Sequence, residues 1–220
     1  MSGATTAASM VTALPDSVRK LAIEKTYPAR KIIHYQDEVF ENIYFIQSGR
    51  AFALSVDIDG KENWVCEYEG GQFIGCANLF NEQGSPYQIV AQTPLKCLLF
   101  KRNSFLKLID SHESFNHQVL RDISLQLEKI IHAQITASQL SMRGQIISEL
   151  SRLSRPVGKD PNTYIIRPTP IFSELAKRLG TSRETVSRTV SQLVKKGILV
   201  RTTGALIVPN PQALARHNLI

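Results

Sequence analysis

The sequence predicts an α+β chain: an antiparallel β-roll of jelly-roll type, one long helix, then a helical unit closed by a small hairpin. Three observations carry that prediction. Between Ala29 and Phe100 short strand-like runs (KIIHY, YFIQSG, AFALSVDIDG, NWVCEYEGG, YQIVAQ, KCLLF) alternate with turn residues, with no helical pattern between them. Repeated short strands at that spacing close into a roll. From about Ser114 to Ala137 the chain has neither Gly nor Pro, and Leu120, Ile123, Leu127 and Ile130 recur at alternate steps of three and four, the seam of a heptad helix. Finally, GTSRETVSRTVSQLVKKGILV (Gly180 to Val200) sets Val186, Val190 and Leu193 on one helical stripe and Arg183, Glu184, Ser187 and Arg188 on the other side.

These elements divide the chain into residues 1–113 (the roll, with 1–14 as a mobile tail), 114–138 (a dimerisation helix) and 139–220 (the helical unit). Within the roll, Asp59-Gly60 is a two-residue hairpin signal, since both residues tolerate positive φ. On the long helix, Leu120, Ile123, Leu127 and Ile130 form the dimer seam and Gln134 fixes its register. Ile131 and Ile135 supply a second apolar face toward the roll. A further helix is expected over Ser141 to Leu153, ending before the turn-rich PVGKDPN, and TYIIRP reads as a strand. Thr169 caps the next helix with Pro170 at its first position. Ala176 and Gly180 are small where two helices cross. Thr181 or Ser182 caps the last helix, and Thr181 with Glu184 fits a capping box. GILVRTTGALIVPN then reads as two strands around Thr203-Gly204.

Composition sets the limits. A chain of 220 residues with 43% hydrophobic content can bury a real core. Its longest apolar runs, such as CLLF, fall far short of the ~20 residues that cross a bilayer. The N-terminus lacks a basic start followed by an apolar core, so the expected location is the cytoplasm, with no membrane partner. Cys66, Cys76 and Cys97 are odd in number and contain no C-x-x-C pair, so neither a disulfide framework nor a zinc site is expected. The P-loop, G-x-S-x-G and H-E-x-x-H motifs are all missing, so the chain is not read as an enzyme. The net charge of +7 is unevenly placed: residues 139–220 hold 13 Lys and Arg against 4 Asp and Glu, whereas residues 1–138 hold 13 against 15. One half is built to meet a polyanion.

That half also carries a helix-turn-helix pattern, 170–179, Gly180 and 182–196. Side chains in the first turns of such a second helix reach base edges in the major groove of double-stranded DNA. Arg183 and Arg188 can each donate a bidentate pair to guanine, Glu184 can accept from cytosine, and Ser187 is permissive. Lys195, Lys196, Arg201 and Thr202, with Thr181 and Ser182, are placed for phosphates. The rival reading is a basic module that binds RNA or protein.

RLGTSRETVSR behind a roll and a long helix, together with IYFIQSGRA, GGQFIGCANLF and the terminal hairpin, resembles the Crp/Fnr family of bacterial transcription regulators from about Arg30 to Val208. The resemblance implies a winged helix-turn-helix in an effector-gated DNA-binding homodimer, with RNA polymerase as a partner. It makes Arg183, Glu184 and Arg188 the base-reading trio, while Ser187 matches the oxygen-responsive branch. A palindrome with TGA-like half-sites follows from the same likeness. The effector pocket would fall at Gly75, Cys76, Ser85 and Pro86 of the roll and Leu127, Ile130 and Ile131 of the long helix. Here the chain departs from the family's cyclic-nucleotide receptors. Cys76 stands where their ribose-holding acid belongs, Ser85-Pro86 replaces the phosphate-binding Arg-Ser, and Ile130-Ile131 replaces the polar pair that contacts adenine. A buried phosphate without its arginine loses a charge-assisted bidentate bond, which argues against cyclic-AMP gating. The iron-sulfur branch needs four cysteines, three near the N-terminus, and residues 1–65 contain none. Haem is compatible with an Ile-lined pocket, with His34, His112, His117, His132 or Cys76 as candidate ligands and none singled out. Thiol redox at Cys76 is the other alternative, and the effector stays unidentified.

Overall fold

The computed structural model describes residues 14–158 and 160–216. The expected tail lies outside the described residues except for Leu14, which is buried in the core instead of mobile. The chain divides into two compact units, Met1–Ile130 and Ile131–Ile220.

The first unit opens with a short helix α1 (Asp16–Arg19) and then runs β1 (Ile23–Tyr27), β2 (Ile32–His34), β3 (Asn42–Ser48), β4 (Arg50–Val56), β5 (Glu62–Glu69) and β6 (Phe73–Ile74). A single 3-10 turn (Cys76–Asn78), β7 (Gln88–Ala91), β8 (Leu95–Lys101), α2 (Arg102–Ser111) and the long α3 (Glu113–Gln139) follow, the unit ending within α3 at Ile130. The strands make two antiparallel sheets of four, ordered β1-β8-β3-β6 and β2-β7-β4-β5, which is the expected jelly-roll-like architecture. Alternation along β3 and β8 explains why both read as continuous apolar runs. Tyr44, Ile46, Cys97 and Leu99 enter the core between the sheets, and their neighbours Ile43, Phe45, Leu98 and Phe100 enter a second core. That second core is completed by Val18 of α1, Phe105 and Leu108 of α2, and Phe115 and Val119 of α3. Phe73, Phe105 and Phe115 meet edge-on at 5.4–6.0 Å between ring centroids, the arrangement the ring quadrupoles favour.

Several local expectations are corrected. β1, β6 and α2 were not anticipated: β1 is exposed at Ile23, Glu24, Lys25 and Thr26 and lacks an apolar alternation, and β6 is only two residues long. The β4–β5 connection is not a two-residue turn at Asp59-Gly60. Asp57 organises a longer loop, its Oδ1 accepting from the N–H groups of Asp59 (3.1 Å) and Lys61 (2.9 Å), and only Gly60 takes positive φ. On α3, the face turned to the roll is Phe115, Val119, Asp122 and, partly, Ile123. Ile131 and Ile135 are exposed instead of docked, and Leu120, Leu127 and Ile130 are exposed with them.

The second unit contains α4 (Met142–Leu153), β9 (Arg155–Val157), β10 (Asp160–Ile166), α5 (Phe172–Arg178), α6 (Arg183–Lys195), β11 (Val200–Thr202), β12 (Ala205–Val208) and α7 (Pro211–Arg216). Ser141 caps α4, its hydroxyl accepting from the Gly144 N–H at 3.2 Å. β11 and β12 form the expected hairpin and extend through β10 to β9 as one antiparallel sheet. Ile146, Ile147 and Leu150 of α4, Leu175 and Ala176 of α5, and Val186, Val190 and Leu193 of α6 share one core with Leu199, Leu206 and Val208. The Thr169-Pro170 cap is not formed. α5 begins at Phe172 behind Ile171, and the Thr169 N–H donates to the Gly204 carbonyl at 2.9 Å, so that residue joins the hairpin turn.

Candidate nucleic-acid interface

The presentation of α6 starts at the end of α5. There the Thr181 N–H donates to Ala176 O (2.9 Å) and the Gly180 N–H to Lys177 O (3.3 Å), the paired bonds of a Schellman motif, with Gly180 at φ +63°. A Cβ on Gly180 would meet nothing within 4 Å, so glycine is required here by backbone conformation and not by close helix packing. Ala176, by contrast, is buried in the shared core as expected.

Ser182 is the cap of α6: its Oγ accepts from the Thr185 N–H at 3.1 Å. The capping box expected from Thr181 and Glu184 is therefore replaced by a cap one residue later, and Glu184 stands in the second helical position. Its own backbone N–H and then the Ser182 hydroxyl hold the Glu184 carboxyl below the usual carboxylate range, so it stays an acceptor at neutral pH. Val186, Val190 and Leu193 are wholly buried, which rolls the opposite face outward. On that face Arg183, Glu184, Ser187 and Arg188 line one open concavity together with Ser191, which sequence reasoning missed although it continues the i, i+4 row from Ser187.

The expected phosphate set is scattered around this face. Lys195 and Lys196 are exposed at the end of α6. The Arg201 guanidinium lies 5.6 Å from the Phe172 ring centroid, where a cation–π contact can hold it, and the Thr202 hydroxyl donates to Ala205 O within the hairpin. A second missed feature braces α5. Glu149 of α4 is buried and accepts both Arg152 Nε (2.8 Å) and Nη2 (2.7 Å), with Arg178 Nε of α5 at 3.0 Å. Burial alone would raise its pKa, but the Arg152 bonds and the two guanidinium charges reverse this and the net shift is downward. An ionised buried carboxylate between two arginines fixes the first helix of the pair against α4.

Of the expected effector positions, four lie in the roll and three on α3. Gly75 takes φ +97°, and a Cβ there would meet Phe40 Cδ1 at 2.9 Å. Cys76 is buried among Phe73, Leu79 and Phe105, and burial pushes its thiol pKa well up. Ser85 is fully buried, with its hydroxyl donating to Tyr87 O (2.9 Å) and its backbone N–H to Glu38 O (2.8 Å). Pro86 is exposed and offers no N–H. Beside them the Tyr87 hydroxyl donates to Asn78 Oδ1 at 2.8 Å and hydrogen-bonds Tyr68, whose pKa burial raises well above the usual phenol value. Leu127, Ile130 and Ile131 are exposed on α3. His34 stacks on Phe40 at 3.5 Å, and burial lowers its pKa, keeping it neutral. Among the described residues no three His, Cys, Asp or Glu side chains group as a metal site, and no helix is long and apolar enough to cross a membrane.

Two family models match the chain in the order its units suggest: a cyclic nucleotide-binding domain over residues 24–112 and a Crp-like helix-turn-helix domain over residues 144–217. The chain belongs to the Crp/Fnr family of transcription regulators. Among curated Crp/Fnr relatives, the cyclic AMP receptor protein of Thermus thermophilus is 28% identical over 178 residues, 80% of this chain and 78% of its own. The cAMP-activated global transcriptional regulator of Pasteurella multocida is 29% identical, covering 83% of this chain and 87% of its own. The roll and helix order recur in solved structures of the family. A mutant of CooA from Carboxydothermus hydrogenoformans has a TM-score of 0.76 at 20% identity, over 92% of this chain and 90% of that one. The c-di-GMP responsive regulator CLP of Xanthomonas campestris has a TM-score of 0.73 at 18% identity, over 87% and 95%.

Proposed function

We propose that this Crp/Fnr regulator acts as a cytoplasmic homodimer that reads a palindromic operator through Arg183, Glu184, Ser187 and Arg188. The row these residues form with Ser191 on the outward face of α6 carries the reading. Two arginines and an ionised glutamate offer donors to guanine and an acceptor to cytosine, a set suited to base edges more than to backbone. Dimerisation uses the exposed α3 stripe of Leu120, Leu127 and Ile130, and two α6 helices enter successive major grooves about 34 Å apart. TGA-like half-sites are the expected sequence and RNA polymerase the expected downstream partner. Lys195, Lys196 and Arg201 supply phosphate contacts, joined by Thr181, Ser182 and Thr202.

The gating ligand differs from a cyclic nucleotide. At the place of the phosphate cassette the Ser85 hydroxyl is committed to the Tyr87 carbonyl, Pro86 has no N–H, and the Arg102 guanidinium donates to Leu79 O and Asn81 O. A cyclic phosphate would enter without a charged partner and lose several kcal/mol of solvation, on the order of the penalty for an uncompensated buried charge. The curated relatives named as cAMP-responsive therefore share this chain's architecture without passing on their ligand. Fluorescence anisotropy of the full chain against duplex DNA, single strand and RNA, each with and without cyclic AMP, tests both parts. Tight duplex binding unaffected by cyclic AMP is expected; preference for RNA, or a cyclic-AMP-dependent gain, overturns the corresponding part.

A further inference from the structure

β6 is an edge strand, bound in its sheet to β3 alone. The Gln72 carbonyl accepts from Ile46 at 2.9 Å, so the pleat turns the N–H and C=O of Phe73 away from β3, where an edge leaves them open. Two side chains one turn apart on α3 fill both places. Asp122 Oδ2 accepts the Phe73 N–H at 2.8 Å, and Gln126 Nε2 donates to the Phe73 carbonyl at 3.0 Å. Gln126 Nε2 also donates to Asp122 Oδ2 at 2.7 Å, closing the ring of bonds. Asp122 is only 4% exposed. One turn further, Lys129 lies 3.5 Å from Glu69 of β5.

Apolar packing alone would leave the Phe73 N–H and C=O buried without partners, whereas a buried carboxylate satisfies the N–H at the cost of its own desolvation. Burial pushes Asp122 up to about 6 despite the Phe73 and Gln126 bonds and the Lys129 charge, so at neutral pH it is ionised against its surroundings. The neighbouring groups are Lys129 on its own helix, paired with Glu69 of β5, and the Cys76 thiol in the turn after β6. What this arrangement gives, and apolar packing does not, is a directional hold on one peptide unit. That unit leads, one residue after Ile74, into Gly75 and Cys76.

We propose that Asp122 and Gln126 are coupling residues, which clasp the Phe73 peptide so that the 73–76 strand and turn move as one piece with the α3 segment carrying Leu120, Leu127 and Ile130. The inference rests on the reading of the roll as a sensor, and it names the link between the roll's turn and the dimer stripe. A change at the turn reaches α3 through two side chains and not through general packing.

Hydrogen exchange of the full chain, read by mass spectrometry, tests this with Cys76→Ala as a mild disturbance of the turn. In the wild-type background Cys76→Ala alters exchange both at 73–76 and at 120–130. In the Gln126→Ala background its effect stays at 73–76. Gln126→Ala alone raises exchange roughly tenfold in both peptides, as expected for one lost buried hydrogen bond, and leaves 186–200 unchanged. Asp122→Asn, which keeps an acceptor oxygen, still passes the Cys76→Ala effect on to 120–130. Transmission that persists in Gln126→Ala, or exchange rising across the whole chain in every variant, overturns the proposal. Duplex binding by the same preparations is scored separately: a chain that ignores DNA yet shows linked exchange keeps the coupling and loses the regulator reading.

Discussion

Arg188 is fully outward on α6 and shares its concavity with Ser187 and Ser191, whose short side chains leave its guanidinium room to approach a base. Arg188→Ala is expected to weaken discrimination at one operator position by ~1–3 kcal/mol while the other positions keep theirs. Anisotropy on single-substituted duplexes checks it; equal loss on every sequence would place Arg188 on the backbone. Asp122 gives a pH prediction. Its folded pKa of about 6 stands above the ordinary 3.8, so folding takes up a proton, and its contribution is most favourable below pH 4 and is lost as pH rises through 6. Asp122→Asn removes the buried charge and retains the acceptor. Its melting temperature should exceed that of wild type at pH 8, by an amount on the order of 1–3 kcal/mol in stability, with the gap roughly halved at pH 5 and closed below pH 4. A gap independent of pH would contradict the assignment.

Among elements, α3 and α5 carry contrasting tests. Leu127 and Ile130 are 55% and 47% exposed on α3, so neither supports the roll's own core. Leu127→Glu with Ile130→Glu is expected to give a folded monomer by analytical ultracentrifugation and to lose affinity for a full palindrome; a stable dimer would move the interface elsewhere. On α5 the brace is Glu149. Replacing it with Gln removes the carboxylate charge between Arg152 and Arg178, both of which reach solvent, a loss on the order of 1–2 kcal/mol, measurable as a lower denaturant midpoint for the second unit. Six of the roll's eight strands, the long helix and the pair α5–α6 were legible because each has an apolar period or a turn residue that marks it. β1 and β6 were not, since one is nearly all exposed and the other gains its place from Phe73 packing and the Asp122 bond, a contact 49 residues apart in sequence. Ser182 was one of two adjacent cap candidates, and the folded backbone chose it over Thr181; the Asp57 loop was missed because Asp59-Gly60 is the stronger local turn signal and the bonds from Asp57 Oδ1 to Asp59 and Lys61 are seen only in the folded loop. The outward row of α6 was legible since helix period alone separates it from Val186, Val190 and Leu193; Glu149 was not, because its partners come from two helices.

For the molecule as a whole, the division of charge and the division of structure coincide. The basic residues concentrated after position 139 sit in the unit that carries α6, whereas the roll is nearly neutral. Binding to duplex DNA is therefore expected to weaken steeply with salt, by roughly 10³ or more between 50 and 200 mM if six phosphates are contacted. The central claim is that paired α6 helices read an inverted repeat. Selection from random duplexes with the full-length wild-type chain, followed by sequencing, tests it most directly. The account predicts enrichment of two identical half-sites in inverted orientation, their centres about one helical turn apart. Recovery of sequences without two-fold symmetry, or no enrichment at all, would contradict it.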